Sequence, residues 1–175
     1  MKPLALFTLT LLAQQPEGIP FQGTYENKFG YAYRVTVPPG LTGLKTPPPA
    51  PQHGFTIDLS SGAYISVDGS YNAQFFATAR HAAEAHAEYL ANQQIAPPRY
   101  QRTKLAGLPA IETTIRYREN KSAPERERHT IIALRPATPE MIYEILLDTP
   151  YPASPQTLRL FHALQRSFRL TLLLE

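Results

Sequence analysis

The densest run of side chains with metal-ligating or acid-base chemistry is His81-Ala-Ala-Glu84-Ala-His86-Ala-Glu88. On a helix turning 100° per residue, His81, Glu84 and Glu88 share one side at i, i+3 and i+4 spacings, where side chains converge. Imidazole and carboxylate together suit a weakly held divalent metal, and a plain solvated helix face has the same spacing. No other cofactor is indicated. His86 falls on the opposite, apolar side and reads as a hydrogen-bonded core histidine.

Asp68-Gly-Ser70-Tyr-Asn72 repeats the first oxygen spacings of a calcium loop. Ala73 stands where the sharp-turn glycine belongs, however, and Ala79 where the closing carboxylate belongs. Capping of a following helix by Ser70 or Asn72 uses the same residues more simply. The chain has no G-x-S-x-G elbow, no His-Glu-x-x-His helix and no Gly-rich phosphate loop. No catalytic residue is therefore assigned, although a hydrolase triad can assemble from residues distant in sequence.

Two further sets of residues are candidate partner surfaces. Arg116, Arg118, Lys121, Arg126 and Arg128 crowd around a tip at Ser122-Ala-Pro124, where they could meet acidic groups or be neutralised by cross-strand Glu partners. Tyr25, Tyr31 and Tyr33 could form an aromatic contact surface or fill the core. Lys45 sits in the segment 38–54, which carries six prolines and reads as a long loop, either one for binding or one stiffened by proline to pack over the end of the domain.

The chain of 175 residues is long enough for one ordinary core. Its net charge of +3, from 17 basic and 14 acidic residues, is too mild to point to nucleic acid. The absence of cysteine removes disulfides, thiolate catalysis and Cys-ligated metals. Met1-Lys2 precedes an uncharged, largely apolar run from Pro3 to Ala13, followed by polar Gln14-Gln15. A bilayer crossing needs about 20 apolar residues, so residues 1–13 read as a cleaved secretory signal and the mature protein as extracytoplasmic, the alternative being a frayed apolar N-terminus or edge strand, since Leu11 stands where a small residue would precede the cut. Residues 14–23 read as a linker and 24–175 as a single domain.

Tyr25 to Asn27 and Tyr31 to Val37 form an opening hairpin, and Phe55 to Leu59 alternates as a half-buried strand returning through Tyr64 to Val67. A helix follows over about Ala73 to Gln93, with Phe75, Ala79, Ala82, Ala83, His86 and Leu90 inward. Strands near Tyr100 to Leu105 and Leu108 to Glu119 lead into a hairpin. Pairing Arg118 with Glu127 and Glu119 with Arg126 sets opposite charges across it, and puts Ile111, Ile115 and Tyr117 on the face of Ile132 and Leu134. Met141 to Leu147 suits the middle of a sheet. Ser154-Pro155 marks the N-cap and first turn of a helix with Leu160, Phe161, Leu164 and Phe168 inward and Arg159, His162 and Arg166 outward. The tail Leu170 to Leu174 is a last strand or a docked end. The sum is an α+β domain, an antiparallel sheet of about six to eight strands flanked by two main helices.

This order, with Ile65-Ser-Val67 before a small-residue helix and Met141-Ile-Tyr-Glu-Ile-Leu-Leu-Asp148 before Phe161-His-Ala-Leu-Gln-Arg-Ser-Phe-Arg169, resembles the PsbP/Mog1-like superfamily over about residues 24–170. The resemblance implies an α-β-α sandwich and an accessory or partner-binding role without catalysis. Members include an extrinsic photosystem II subunit and a partner of a small nuclear GTPase, and no binding residue of either carries over. The leading expectation is an exported protein that binds a protein of the cell envelope. The alternatives are a small-ligand or metal-binding protein using the sheet-helix crevice or the His81 face, and then an envelope hydrolase.

Overall fold

The computed structural model describes residues 18–28, 30–46, 53–60, 62–136 and 140–171. The expected signal at 1–13, the prolines at 47–51 and the tail 172–175 lie outside them.

The main sheet is built on one long central strand, β10 (Met141–Pro150), antiparallel to β6 (Ala63–Tyr71) on one side and β9 (Arg126–Arg135) on the other. Strands β5 (Gly54–Leu59), β4 (Gly43–Lys45) and β1 (Ile19–Phe21) extend it beyond β6, and β8 (Leu108–Tyr117) and β7 (Arg99–Leu105) extend it beyond β9. A second sheet joins β2 (Thr24–Asn27), β3 (Tyr33–Thr36) and β11 (Arg169–Leu170). The expected opening hairpin is thus present, but in a layer of its own. Residues assigned to the linker and to the long loop supply β1 and β4, which pair with each other.

Alternation along the strands sorts the core into two faces. Ile131, Ala133, Tyr143 and Ile145 point to one side, where α2 (Pro155–Ser167) and the small sheet cover them with Phe161, Leu164, Tyr25, Tyr33 and Val35. Their neighbours Ile132 and Ile142 point to the other side, where Ala82 and Ala83 of α1 (Ala79–Glu88) pack on them. The α-β-α arrangement follows from that alternation.

The second helix starts as its sequence dictates. The Ser154 hydroxyl accepts from Thr157 N at 3.0 Å, with Pro155 in the first turn. The first helix does not begin at Ala73. Asn72 is buried and closes a turn: its Oδ1 accepts from Phe76 N and its Nδ2 donates to Phe76 O, both at 2.9 Å. Phe75 is thereby held at φ 54°, outside helical space, and is exposed rather than inward. Thr78 caps the helix instead of Ser70 or Asn72, accepting from His81 N at 3.1 Å.

The hairpin β8–β9 is paired as Arg116 with Glu127 and Tyr117 with Arg126, a slip of two residues from the charge-based register. A slip of two leaves every side chain on the same face, so Ile111, Ile115 and Tyr117 still share the side of Ile132.

The β5–β6 pair depends on Gly54, where a Cβ would sit 1.8 Å from Val67 O, a backbone atom with little room to yield. Gly54→Ala is expected to lose about 1–3 kcal/mol, the range for overpacking, read as a lower denaturation midpoint in urea.

Candidate functional site

Helix α1 lies over β8 and β9 and reaches β10 at Ile142 and Glu144, and among the described residues no helix covers the same face of β6 and β5, so this side of the sheet is half open. Along the step between helix and open sheet lie three adjoining depressions of about 370, 520 and 380 Å³, and Glu144 lines all three. Glu144 is on central strand β10, directly opposite Asp68 of β6. Two carboxylates side by side on one sheet face repel each other, and this pair is partly withdrawn from water. Desolvation, with Glu144 adding to it and His53 opposing it, pushes the Asp68 carboxyl up to about 6.

The helix supplies the nearest counterion. His86 Nδ1 lies 2.8 Å from Glu144 Oε2, and that hydrogen bond holds the imidazole above its usual 6.5 against partial burial. His86 is therefore not the core histidine expected from the helical wheel. It stands at the open edge of α1 because the helix tilts its alanines 82, 83 and 87, not residue 86, into the sheet.

Toward the far end of β10 the same face carries a closed charge network. The Asp148 carboxylate, 1% exposed, accepts from Tyr117 Oη at 2.6 Å, from Arg126 Nε at 2.6 Å and from Arg128 Nε and Nη2 at 2.9 and 2.7 Å. Burial, then the Asp148 charge, pushes the Tyr117 phenol up to about 12. Arg116 and Arg118 are held by Glu125 at 2.9 and 2.7 Å, and the Arg116 guanidinium stacks 3.9 Å from the Tyr151 ring centre. The arginines of the basic hairpin are thus held from within, two to each carboxylate, and of the expected surface cations there Lys121 stands exposed at the tip.

The other sequence candidates are scattered. Tyr31 and Tyr33 are buried, not a contact surface: Tyr33 Oη donates to His53 O at 2.6 Å, and Tyr31 O accepts from Tyr143 Oη at 2.7 Å, which fastens the small sheet to the large one. Lys45 Nζ sits 4.9 Å over the Phe21 ring, at the edge of the 520 Å³ depression. On α1, His81 and Glu88 are exposed, and Glu84 takes a hydrogen bond from Arg80 Nε at 2.6 Å. Among the described residues no group of three or more acidic or histidine side chains is placed to hold a metal ion.

On the opposite face the structure gathers residues that sequence reading missed. His129 lies 3.6 Å from both Glu112 and Glu127, and His162 of α2 lies 3.6 Å from Glu112. The imidazole of His129, with His162 beside it, holds the Glu112 carboxyl below its usual range. His162, expected to face solvent, is half-buried against this chain of groups.

No family sequence model matches the chain, and no curated protein matches it by sequence. Solved structures do. The Ran-binding protein Mog1p of Saccharomyces cerevisiae aligns with a TM-score of 0.57 at 16% identity, over 86% of this chain and 95% of that one. The fold is PsbP/Mog1-like. A Mog1 point mutant aligns with a TM-score of 0.55 at 15% identity, over 86% of this chain and 97% of its own. A protein of Bacteroides thetaiotaomicron gives 0.54 at 11% identity over 87% of this chain, which spans 50% of that protein's length.

Two outcomes follow from these contacts. Asp68 is raised in the folded state, so its contribution to stability is complete below the unfolded value of 3.8 and is lost as pH rises through about 6. Asp68→Asn is expected to melt higher than wild type at pH 8, by about 2–4 °C per kcal/mol recovered, with the gain vanishing toward pH 4 in calorimetry. Asp148→Ala strands two partly buried guanidinium groups and is expected to cost about 3–5 kcal/mol in urea unfolding.

Proposed function

We propose that the chain is a non-catalytic partner-binding protein whose contact surface is the open half of the main sheet beside α1. The observation that carries this reading is the convergence of three depressions on Glu144, where among the described residues no helix covers the same face of β6 and the cover of α1 over β10 ends. A central strand that carries Asp68 or Glu144 opposite one another gains nothing for its own burial, so their placement suits recognition better than folding. The fold supports the reading in the same direction, since Mog1p is named for binding Ran.

We further place the protein outside the cytoplasm and its partner in the cell envelope, on the strength of the signal-like residues 1–13. Among the described residues no helix is long and apolar enough to cross a membrane.

A photocrosslinking residue tests the surface. Introduced at Ser66 in the open trough, it is expected to give one discrete adduct in living cells; introduced at Arg159 on the outer face of α2, it gives none. Equal labelling at both positions, or none at Ser66, overturns the assignment. Mass spectrometry of the same purified protein reports whether it begins near Gln14.

A further inference from the structure

We propose that the crevice between α1 and the sheet, of about 370 Å³, is a binding site for a small amphipathic primary amine, its ammonium on Glu144 and its apolar body between Ala87, Ile115 and Leu146. The crevice is one of the three depressions that meet at Glu144, so its ligand shares that carboxylate with the proposed partner surface and adds the interior between α1 and the sheet.

Its volume is at the lower end of that of small-molecule pockets, and its walls set Ala83, Ala87, Ile115 and Leu146 beside about as many polar side chains, which suits an amphipathic ligand. The second observation is Thr113. It lines the crevice, is 1% exposed, and its Oγ1 has no hydrogen-bond partner among the described residues. A hydroxyl buried without a partner costs free energy that Val, of nearly the same shape, would not incur. A ligand carrying a hydrogen-bonding group on its far end removes that cost. Thr130, directly opposite Thr113 on β9, also lines the crevice.

The charges decide the class of ligand. Arg128 reaches the crevice, where its guanidinium makes two hydrogen bonds to Asp148 and shares that carboxylate with Arg126, so the three groups together leave one positive charge. The carboxylate of Glu144 faces His86 from α1 and Asp68 from β6. Glu144 and Asp68 bring two carboxylates against that one positive charge, so with His86 neutral the groups at and beside the crevice carry one net negative charge, which favours an ammonium over a carboxylate ligand.

The test is titration of the purified chain at pH 8 with tyramine, with 4-hydroxyphenylacetate and 4-ethylphenol as charge controls, followed by amide chemical shifts. Tyramine is expected to bind saturably, with its largest shifts at Thr113, Thr130 and Ala87, and more tightly than either control. Glu144→Gln and Thr113→Val are each expected to weaken it about tenfold, the scale of one charge-assisted or buried hydrogen bond. Thr113→Val is expected to melt no lower than wild type, so its loss of binding is not a loss of fold. Absence of tyramine binding, tighter binding of either control, or unchanged affinity in both variants overturns the proposal.

Discussion

Strand β10 is the constraint on which the other layers depend. It lies between β6 and β9 with a full antiparallel ladder on each edge, and its alternate residues enter different cores. Tyr143, Ile145 and Leu147 meet α2 and the small sheet, while Ile142 meets α1. A strand buried on both faces reads as a nearly continuous apolar run, and shifting its register by one residue would exchange the two cores wholesale. The same strand carries Glu144 and Asp148, so the polar chemistry of the molecule is registered by the ladder that organises its packing.

Those two carboxylates reach different ends. Asp148 is drawn fully out of water and is made tolerable by two arginines and a tyrosine that converge on it from β8 and β9. Glu144, four residues earlier on the same face, has one imidazole and a facing carboxylate. Desolvation without full compensation makes Asp68 a stability cost at neutral pH. Polar groups held at such cost lie around the crevice and the open sheet, and Thr113 adds an unpaired hydroxyl to the same region. The local conflict with good packing is what marks the region as one shaped for recognition.

Much of the fold was legible. The Ser154-Pro155 cap, the inward stripe of Phe161 and Leu164, and the apolar run of β10 are each set by short-range chemistry, and the structure keeps all three. The hairpin of β8 and β9 was legible in its faces but not its register, because a period of two cannot distinguish pairings that differ by two residues. The start of α1 was hidden by propensity. Ala73 to Phe76 favours helix locally, and the Asn72 side chain overrides it by binding the Phe76 backbone at both its polar atoms.

The candidate site was much less legible. The sequence reading assembled His81, Glu84 and Glu88 because they are neighbours on one helix, whereas the groups that converge are Asp68, His86 and Glu144, from β6, α1 and β10. Composition and periodicity alone determined an antiparallel α+β domain, its two helices and most of its core, since burial of apolar stripes depends on spacing along the chain. Only the tertiary structure decided which strands α1 leaves uncovered, which arginines are already paired, and which carboxylates face each other. Those outcomes depend on contacts between residues far apart in the chain, for which local spacing carries no signal.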